Sequence, residues 1–457
     1  MAKVLHIGFG LYPFWKGGMV NYQDSLMEGL SASGWEVVFF AGGRYTLEFF
    51  PALKERKVRG IKVIELVNSP NLPFPNNNPL GQCRNRKIEN LTKKVLDREK
   101  PDIIHLHDLR MHCASIIDLI LERKIPVVKT IHNYYDFCPQ GELMYRLEIP
   151  CQDYEKGRRC LNCVPLLKGR EVSLQERVYN STYFWNNSIR KVLRFSYHLF
   201  RPLFISKGKK CKSKVAPVSL SSDIYQQRRE FFIERLNKLD AIHCYSHGSA
   251  DVLVRLGIEP RKIVVIPVSA KSLELIIPHP LRDDSLPVVF GYLGTAAVHK
   301  GFYCLLEAFS KLDQTKAKLL LVGNRERVPE KFKDLSIEYY DGFSLKDLNK
   351  ILSRIDVGIV PSLWEEIFGI VGIEFLQARI PVIASRIGGI PEWLKDGSNG
   401  FLVEPGNPEE LAEKMKLFID NPALIREIQE RIKPWKSMVT HVQEMIGLYK
   451  RVLKERL

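Results

Sequence analysis

The sequence predicts an α/β protein with two doubly wound domains that face each other across a cleft. Short runs of β-branched and apolar residues alternate with segments of helical period, which is typical of parallel sheets covered by helices on both faces. The pattern stops at a Pro-rich, polar passage, Lys271 to Pro287, and then starts again. With 457 residues, the chain is long enough for two or three hydrophobic cores.

Predicted strands occur in both halves of the chain. Those of the first half are Val4 to Phe9, Glu36 to Phe40, Ile61 to Val67, Asp102 to His107, Val127 to His132, Ala241 to Ser246 and Ile263 to Val268. Those of the second half are the runs PVVFGYLG, AKLLLVGN, IEYYDGF, VGIVPS, PVIAS and GFLVEP, between Pro287 and Pro405. Such folds bind ligands at the carboxyl ends of their strands, so the cleft is the predicted active site.

These strands suggest where the domains begin and end. Residues 1–270 are the predicted first domain, which carries an insertion at about 138–230. Residues 271–286 are the predicted linker, and the second domain begins at residue 287.

The net charge and the cysteine count indicate which kinds of partner the protein binds and in which compartment it occurs. Lys and Arg outnumber Asp and Glu by 68 to 52, a formal charge of +16 that favours polyanions, anionic membranes or phosphorylated substrates. The start, MAKVLHIGFG, leads directly into a strand, and no apolar run has the length of a membrane span. We therefore expect a cytoplasmic protein, whose nine cysteines are free thiols or metal ligands.

One basic segment interrupts the α/β pattern. Lys168 to Lys214 contains twelve Lys or Arg against two Glu, interleaved with aromatic residues. The composition is typical of an amphipathic helix on anionic headgroups, and a packed insertion with a solvated basic face explains it equally well. Nucleic acid is the weaker alternative, since no recognition motif accompanies the charge.

The stretch LWEEIFGIVGIEFLQ, Leu363 to Gln377, places two carboxylates around a helix start. VGIVPS is a strand, and a helix is predicted to begin near Gly369 or Ile370. The unpaired N–H groups and the dipole of a helix start favour an anion such as a diphosphate. Glu374, one turn into the helix, would then accept hydrogen bonds from a ribose diol, and Glu366 would hold sugar hydroxyls.

This stretch resembles the E-x7-E signature of the retaining glycosyltransferases of family 4. The similarity continues through PVIASRIGGIPEWLKDGSNGFLVEPGNPEELAEKM and covers most of the second half. It implies a GT-B fold of two Rossmann-like domains, with a nucleotide-sugar donor on the second and an acceptor on the first. It also implies that the second domain ends at residue 433 and that 434–457 form a helix crossing back onto the first domain.

The same resemblance assigns further donor-binding residues. In YLGTAAVHKGF, Lys300 occupies the place of a lysine that contacts the donor diphosphate, whereas Thr295 replaces the usual arginine. The diphosphate would then rely on Lys300 with His299 and the helix start, or on Arg325. The backbone near Asp341 would contact the base. The complete predicted donor set is Gly294, Thr295, His299, Lys300, Arg325, Gly342, Phe343, Glu366, Phe368, Gly369, Ile370, Val371 and Glu374.

Acceptor-binding residues are predicted in the first domain. Gly17 and Gly18 match the family's glycine-rich loop in position and would let backbone amides approach a phosphate or an acceptor. His132 ends a strand and resembles the family's active-site histidine near the anomeric carbon. His107 ends the neighbouring strand at a similar place on the cleft rim, and core packing is the alternative for both histidines. The predicted catalytic residues are His132, Lys300 and Glu366.

Four cysteines follow His132 closely. Cys138, Cys151, Cys160 and Cys163, the last two as C-x-x-C, suit tetrahedral thiolate coordination. Zinc is the first expectation and an iron–sulfur cluster the second, with unligated thiols as the alternative.

The predicted activity is retaining transfer of a sugar from a nucleotide diphosphate donor to a hydroxyl acceptor, without a catalytic metal. The acceptor is expected to be lipid-linked or a precursor of a cell-envelope glycan, at the cytoplasmic face of a membrane. An inactive GT-B scaffold acting as a basic membrane or nucleic-acid adaptor is the alternative from another class. An epimerase or a phosphorylase on the same fold is the third.

Overall fold

A computed structural model describes residues 1–15, 17–71, 79–164, 177–178, 180–181, 221, 223–283, 285, 287–323, 325–340 and 345–455. Its strands form two large sheets and one small hairpin. The strands are β1 (Lys3–Gly8), β2 (Glu36–Gly42), β3 (Ala52–Val58), β4 (Ile61–Val67), β5 (Ile103–Leu106), β6 (Val127–Thr130), β7 (Met144–Tyr145), β8 (Ile149–Pro150), β9 (Ala241–Cys244), β10 (Ile263–Val265), β11 (Val288–Leu293), β12 (Ala317–Val322), β13 (Ile337–Tyr340), β14 (Val357–Val360), β15 (Val382–Ser385) and β16 (Gly400–Val403).

Helices lie between the strands and after them. They are α1 (Gly18–Ala32), α2 (Pro79–Cys83), α3 (Arg86–Glu99), α4 (Ile116–Glu122), α5 (Arg158–Cys163), α6 (Asp223–Leu236), α7 (His247–Arg255), α8 (Lys271–Glu274), α9 (Phe302–Phe309), α10 (Leu348–Leu352), α11 (Ile370–Gln377), α12 (Ile390–Trp393), α13 (Pro408–Asp420), α14 (Ala423–Arg431) and α15 (Met438–Lys454). Within the described residues, no helix combines the length and the apolar character needed to cross a lipid bilayer.

The two sheets have the topology of doubly wound domains. The first has the strand order β10-β9-β6-β5-β1-β2-β4-β3, and the second has the order β13-β12-β11-β14-β15-β16. All neighbours pair in parallel except β3 and β4. The central strands β5, β6, β9, β14 and β15 are buried along their whole length, as expected where helices cover both faces. The predicted two-domain α/β fold is confirmed.

Every predicted strand is present, and three strands were not predicted. The edge strand β3, ALKERKV, lacks an apolar run because its four central residues are charged. One of them, Arg56, forms an ion pair with Glu65 of the neighbouring strand, 2.9 Å apart. The short hairpin of β7 and β8 lies in the cysteine-containing insertion. It is only two residues long on each side, too short for a periodicity to reveal it.

The predicted linker, residues 271–286, is partly a packed helix. Its first four residues form α8, in which Ser272 and Leu273 are buried against α1 and α11. The linker bounds stay a prediction; the polar sequence KSLE gives no sign of the apolar contact that Leu273 makes.

The last helix, α15, leaves the second domain and packs on the first. Ser437 caps its start by accepting a hydrogen bond from the N–H of Thr440. His441 then shares a 2.9 Å hydrogen bond with Tyr22 of α1, and Tyr449 shares one of 2.6 Å with His105 of β5. The predicted crossing helix is thus in place.

Candidate active site

Two loops of the second domain meet at the cleft. One follows β11 and carries His299 and Lys300, and the other follows β14 and runs from Pro361 to Gly369. The N–H of Leu363 donates to the carbonyl of His299 over 2.8 Å. Gly301 makes the turn with φ +69°, and a Cβ there would lie 1.7 Å from the carbonyl oxygen of Pro361. Only glycine permits this approach, which brings Lys300 beside the second loop.

Lys300 and Glu366 form the ionic centre of the site. The Lys300 ammonium donates to Glu366 Oε1 over 2.7 Å, and the Ser362 hydroxyl donates to the same oxygen over 2.8 Å. The ammonium also lies 4.5 Å from the centre of the Trp364 ring. Burial pushes the pKa of Glu366 up, but Lys300 and Ser362 outweigh it and hold that pKa below its ordinary value. Glu366 is therefore ionised at neutral pH.

The helix start after this loop is arranged as the sequence predicts. Gly369 has left-handed backbone angles, φ 80° and ψ 55°, and α11 begins at Ile370 without a capping side chain. Gly372 lies against Trp393, whose indole N–H donates to the carbonyl of Phe368 over 2.5 Å. The first N–H groups of α11 are therefore available to an anion. Phe368 is buried, whereas Ile370 and Val371 are half-buried.

Glu374 lies one turn into α11, as predicted, and is half-buried. Burial raises its pKa to about 7, and a hydrogen bond with Ser272 of α8 opposes the rise. The carboxyl group is therefore partly protonated at neutral pH until a partner stabilises its charge.

His299, predicted to assist Lys300 at the diphosphate, is neutral at neutral pH. Burial, followed by the adjacent Lys300 charge, lowers its pKa to about 4. Its Nδ1 lies 3.3 Å from Glu142 Oε2 of the first domain, and neither atom has a hydrogen-bond partner. His299 can offer an N–H to a phosphate, but not a second cation.

The other predicted donor residues lie farther along the same edge. Gly294 and Thr295 are exposed after β11, and the Thr295 carbonyl accepts from the Tyr292 hydroxyl over 2.7 Å. Arg325 is exposed after β12, with its guanidinium 4.8 Å from the centre of the Tyr339 ring. Gly342 and Phe343, like the neighbouring Asp341, lie outside the described residues.

In the first domain, His132 is half-buried directly after β6. Its Nε2 shares a 3.0 Å hydrogen bond with His107, and its Nδ1 shares one of 2.8 Å with the Tyr245 hydroxyl. Burial lowers the pKa of His132 to about 3, so the imidazole is neutral. These two hydrogen bonds fix the orientation of the ring from both sides.

His107 was predicted at the cleft rim with core packing as the alternative, and its burial favours the alternative. It is 1% exposed, and its Nε2 shares a 2.8 Å hydrogen bond with His6 Nδ1. Strand β5 is central in the sheet and is covered at its end, so the last side chain is enclosed. His107 therefore orients His132, and it lines one small cavity together with His132 and Asp108.

His6, His105 and His107 bring ligand atoms within 4.8 Å of one another. Both nitrogens of His105 are occupied, by Tyr449 at 2.6 Å and Thr130 at 2.7 Å, and His6 and His107 share a hydrogen bond. Five of the six ring nitrogens are thus engaged in hydrogen bonds, and His6 Nε2 is the one left without a partner, so the network does not offer three free lone pairs to a metal.

Two polar features of the first domain were not predicted. Asp108 accepts from the Arg110 guanidinium, at 2.7 and 2.9 Å, and from the Asn133 amide at 3.0 Å. Burial opposes ionisation, but Arg110 and Asn133 outweigh it and keep the pKa of Asp108 below its usual range. This group lines a small cavity together with His132.

Glu142 is the second unpredicted feature. Burial, opposed by Lys300 and reinforced by Glu366, raises its pKa. Glu142 places a further carboxyl group, from the first domain, beside the donor loops. Nothing in the local sequence GELMY signals this, since its neighbours in space are more than a hundred positions away.

Gly17 and Gly18 lie where the predicted loop ends and α1 begins. Both are exposed, Gly17 has φ +123°, and a Cβ on either would meet nothing within 4 Å. No side chain caps this helix start, so its N–H groups remain open to an anionic or hydroxylated ligand.

The two domains contact each other around the site. The Ser246 hydroxyl, after β9, donates to the carbonyl of Ile367 over 2.7 Å, and the N–H of Gly248 donates to Glu392 over 2.9 Å. A Cβ on Gly248 would lie 2.3 Å from the carbonyl oxygen of Gly388. The glycines allow the two backbones to touch beside Glu366.

Cys138, Cys151, Cys160 and Cys163 line one cavity beside the active site, and all four thiols are free. Burial raises the pKa of Cys160 to about 12, and the neighbouring Cys138 thiol is the next cause. The predicted group of four cysteines is therefore brought together by the fold.

Two family models match the chain. Residues 16–162 match the model described as Glycosyltransferase Family 4, and residues 287–421 match the one described as Glycosyl transferases group 1. An uncharacterised glycosyltransferase of Methanocaldococcus jannaschii is 33% identical over 140 residues, which are 29% of this chain and 35% of that protein. Two further curated relatives are matched over 46% and 66% of their own lengths.

Solved structures share the fold over the whole chain. Sucrose-phosphate synthase from Thermosynechococcus elongatus superposes with a TM-score of 0.63 and 18% identity, covering 100% of both chains. HepE of Anabaena, solved in complex with UDP-glucose, superposes with a TM-score of 0.57 and 13% identity, covering 99% of this chain and 100% of that one. These likenesses establish the GT-B architecture.

Proposed function

Because the chain belongs to the GT4-like glycosyltransferases, we propose that it transfers a sugar from a nucleotide diphosphate donor to a hydroxyl group of an acceptor. The observation that carries the proposal is the contact of Lys300 with Glu366 beside the open start of α11. A cation, a carboxylate and free N–H groups are the three kinds of partner that a sugar diphosphate needs.

The ionic pair gives the donor a defined way to bind. A donor phosphate would replace Glu366 as the partner of Lys300, and the N–H groups of α11 would bind its oxygens. Glu366 would then be free to accept hydrogen bonds from hydroxyls of the transferred sugar. As the anomeric bond breaks, negative charge grows on the diphosphate, and Lys300 and the helix start stabilise it there.

We propose that transfer retains the anomeric configuration. The spacing of Glu366 and Glu374 supports this through the resemblance to retaining enzymes, and we assign both carboxylates to binding and orientation. The departing diphosphate is a good leaving group and needs little acid assistance. His132 is neutral and both of its nitrogens are held, by His107 and Tyr245, so it would orient the acceptor hydroxyl or the sugar near the anomeric carbon by exchanging one of these hydrogen bonds for one to substrate.

We further propose a lipid-linked acceptor at an anionic membrane surface on the cytoplasmic side. Exposed apolar side chains support this, since Leu47, Phe49 and Phe50 are 44%, 59% and 76% exposed after β2. Arg177, from the edge of the basic segment, lies 4.5 Å from the Phe49 ring centre and donates to the carbonyl of Thr46. Apolar residues next to basic ones suit the headgroup boundary. The remaining basic segment lies outside the described residues.

Mass spectrometry of nucleotide retained by the purified protein, followed by incubation with a panel of nucleotide sugars, tests the proposal. We expect slow release of one nucleoside diphosphate from one class of donor, and faster release once an acceptor is added. An isomerised sugar nucleotide would indicate an epimerase, and a sugar phosphate a phosphorylase. If no nucleotide binds, the chain acts as an adaptor on a GT-B scaffold.

A further inference from the structure

The four-cysteine cavity lies in the insertion after β6. Its lining combines the segment after His132, the hairpin of β7 and β8, and the short helix α5. Cys160 and Cys163 are three positions apart on α5, so both side chains point to one side of the helix. Cys138 and Cys151 reach the same cavity from the other two segments. Four soft ligands therefore converge from three pieces of chain.

The polar surroundings of Cys163 suit a sulfur that carries negative charge. Its Sγ lies 3.0 Å from the backbone N–H of Arg146, which follows β7, and 2.8 Å from the Gln140 side-chain amide. Both groups are donors, and hydrogen bonds of this kind commonly orient and stabilise metal-bound ligands. The same Sγ lies 3.5 Å from the carbonyl oxygen of Met144, to which the thiol donates when no metal is bound.

From this arrangement we propose that Cys138, Cys151, Cys160 and Cys163 bind one structural zinc ion as four thiolates. Four thiolates and no water make a closed tetrahedral site, which is the preferred environment of structural zinc. Of the described side chains, only His6, His105 and His107 place three or more ligand atoms all within 4.8 Å of one another. The four sulfurs are more widely spaced, and zinc draws them inward to about 2.3 Å from the metal.

The zinc site supports the loop that carries Glu142 to the donor site. The N–H of Gly141 donates to the carbonyl of Cys138 over 2.8 Å, and the N–H of Cys151 donates to the carbonyl of Leu143 over 2.7 Å. Glu142 thus lies between two residues that are bonded to the backbone of metal ligands. Fixing the cysteines fixes the segment that places Glu142 at 3.3 Å from His299.

Elemental analysis of the full chain, purified without chelator, provides the first test. We expect one zinc per chain, and loss of that zinc in the double variant Cys160→Ser with Cys163→Ser. Cys304→Ser is the matched control, since Cys304 is also half-buried and free but lies on α9 in the second domain. Iron with acid-labile sulfide would overturn the assignment to zinc.

Alkylation of the unmodified protein provides a test that does not depend on how a variant folds. Thiols are alkylated under native conditions before and after zinc is removed by a chelator, and the modified peptides are identified by mass spectrometry. We expect the four cysteines to be protected together with zinc and to react together without it, whereas Cys304 reacts equally in both. Equal reactivity of the four with and without added zinc would overturn the proposal.

Discussion

At the scale of single residues, the ionisable groups of the site are paired with one another or wholly or partly neutral. Lys300 is paired with Glu366, His299 is neutral, and burial keeps Glu374 partly protonated. Among the described residues of the two donor loops, Lys300 is therefore the cation that lies beside Glu366. This concentrates the electrostatic contribution to transfer on Lys300, where a single substitution can measure it.

Lys300→Met should lower turnover by roughly 30- to 1000-fold, because losing one charge-assisted bond to the leaving diphosphate costs about 2–4 kcal/mol in the transition state. Steady-state kinetics with the nucleotide sugar that the donor panel selects measures this loss of turnover. Lys311→Met is the control, since Lys311 is exposed on the same domain and is paired with Glu409. Near-native turnover of Lys300→Met would remove its assigned role.

Glu374 should make folding stability depend on pH. Its pKa rises from 4.5 to about 7 in the folded chain, so between those values the folded state binds more protons than the unfolded one. The free energy of unfolding should then fall as pH rises through this window, by at most on the order of 3 kcal/mol. Glu374→Gln should lose this slope in urea unfolding across the same window.

Donor binding should show the opposite trend at the same residue. If ribose hydroxyls donate to the Glu374 carboxylate, the ionised form binds donor better, and affinity rises from about pH 6 to about pH 8. Calorimetry with an intact nucleotide sugar measures this, since its diester phosphates stay ionised throughout. A parallel rise in Glu374→Gln would mean that another group is responsible.

At the scale of elements, the sequence predicts the strands and helices that have a periodic apolar pattern. It misses the features that depend on residues far along the chain. The buried parallel strands were found because β-branched and apolar residues predominate in each, even where a His or Lys interrupts them, as in β5, β6 and β9. The edge strand β3 was missed because its four central residues, Lys54 to Lys57, are all charged and interrupt any apolar run. The burial of His107 could not be predicted, because the sequence at the end of a strand does not show whether that end is exposed or covered by other residues.

The candidate site divides in the same way. Lys300, Glu366 and the start of α11 lie in one recognisable stretch or beside a glycine turn, so they were predicted. Glu142 was not, because its position depends on a fold that brings it to His299, 157 positions away (299 − 142). Asp108 and Arg110 were missed for a related reason, because the sequence around them does not indicate that Asp108 lines a cavity with His132.

Gly388 joins two loops of the site, and its substitution should disturb Glu366. It has φ +56°, and a Cβ there would lie 2.2 Å from the carbonyl oxygen of Glu366 and 2.6 Å from its nitrogen. Gly388→Ala should therefore lower both stability and turnover. Gly397→Ala is the control, because Gly397 has φ +73° but no atom within 4 Å of the added Cβ. It should lose about 1 kcal/mol of stability from backbone strain and keep its turnover.

At the scale of the whole molecule, the first domain carries the features that would face a membrane. Exposed Leu47 and Phe50 lie near Arg177, and the chain as a whole has a charge of +16. The second domain carries the donor loops, and contacts such as Ser246 with Ile367 hold the two domains together at the cleft. An acceptor presented by the membrane would thus reach the first domain's side of the site.

Liposome sedimentation should show binding that needs anionic lipid and weakens with salt. Changing Arg190, Lys191 and Arg194 to Glu should abolish the salt-sensitive part, since each cation near such a surface contributes about 1 kcal/mol. Changing Leu47 and Phe50 to Ser should weaken binding with little salt dependence, because that part is apolar burial.

Leu417→Ser is the control for this experiment, as Leu417 is 42% exposed on α13 of the second domain. Equal recovery with neutral and anionic liposomes at low salt would favour a packed basic insertion and a soluble acceptor.

The crossing helix α15 also affects how the chain folds as it is made. The ribosome synthesises Met438–Lys454 after both sheets, yet these residues complete the interior of the first one. Before they emerge, Tyr22 and His105 lack His441 and Tyr449, and the face of α1 at Gly29 lacks Val442. The domain that is translated first therefore completes its packing last. In a nascent chain, the second sheet must already have left the ribosome before α15 can pack on the first domain.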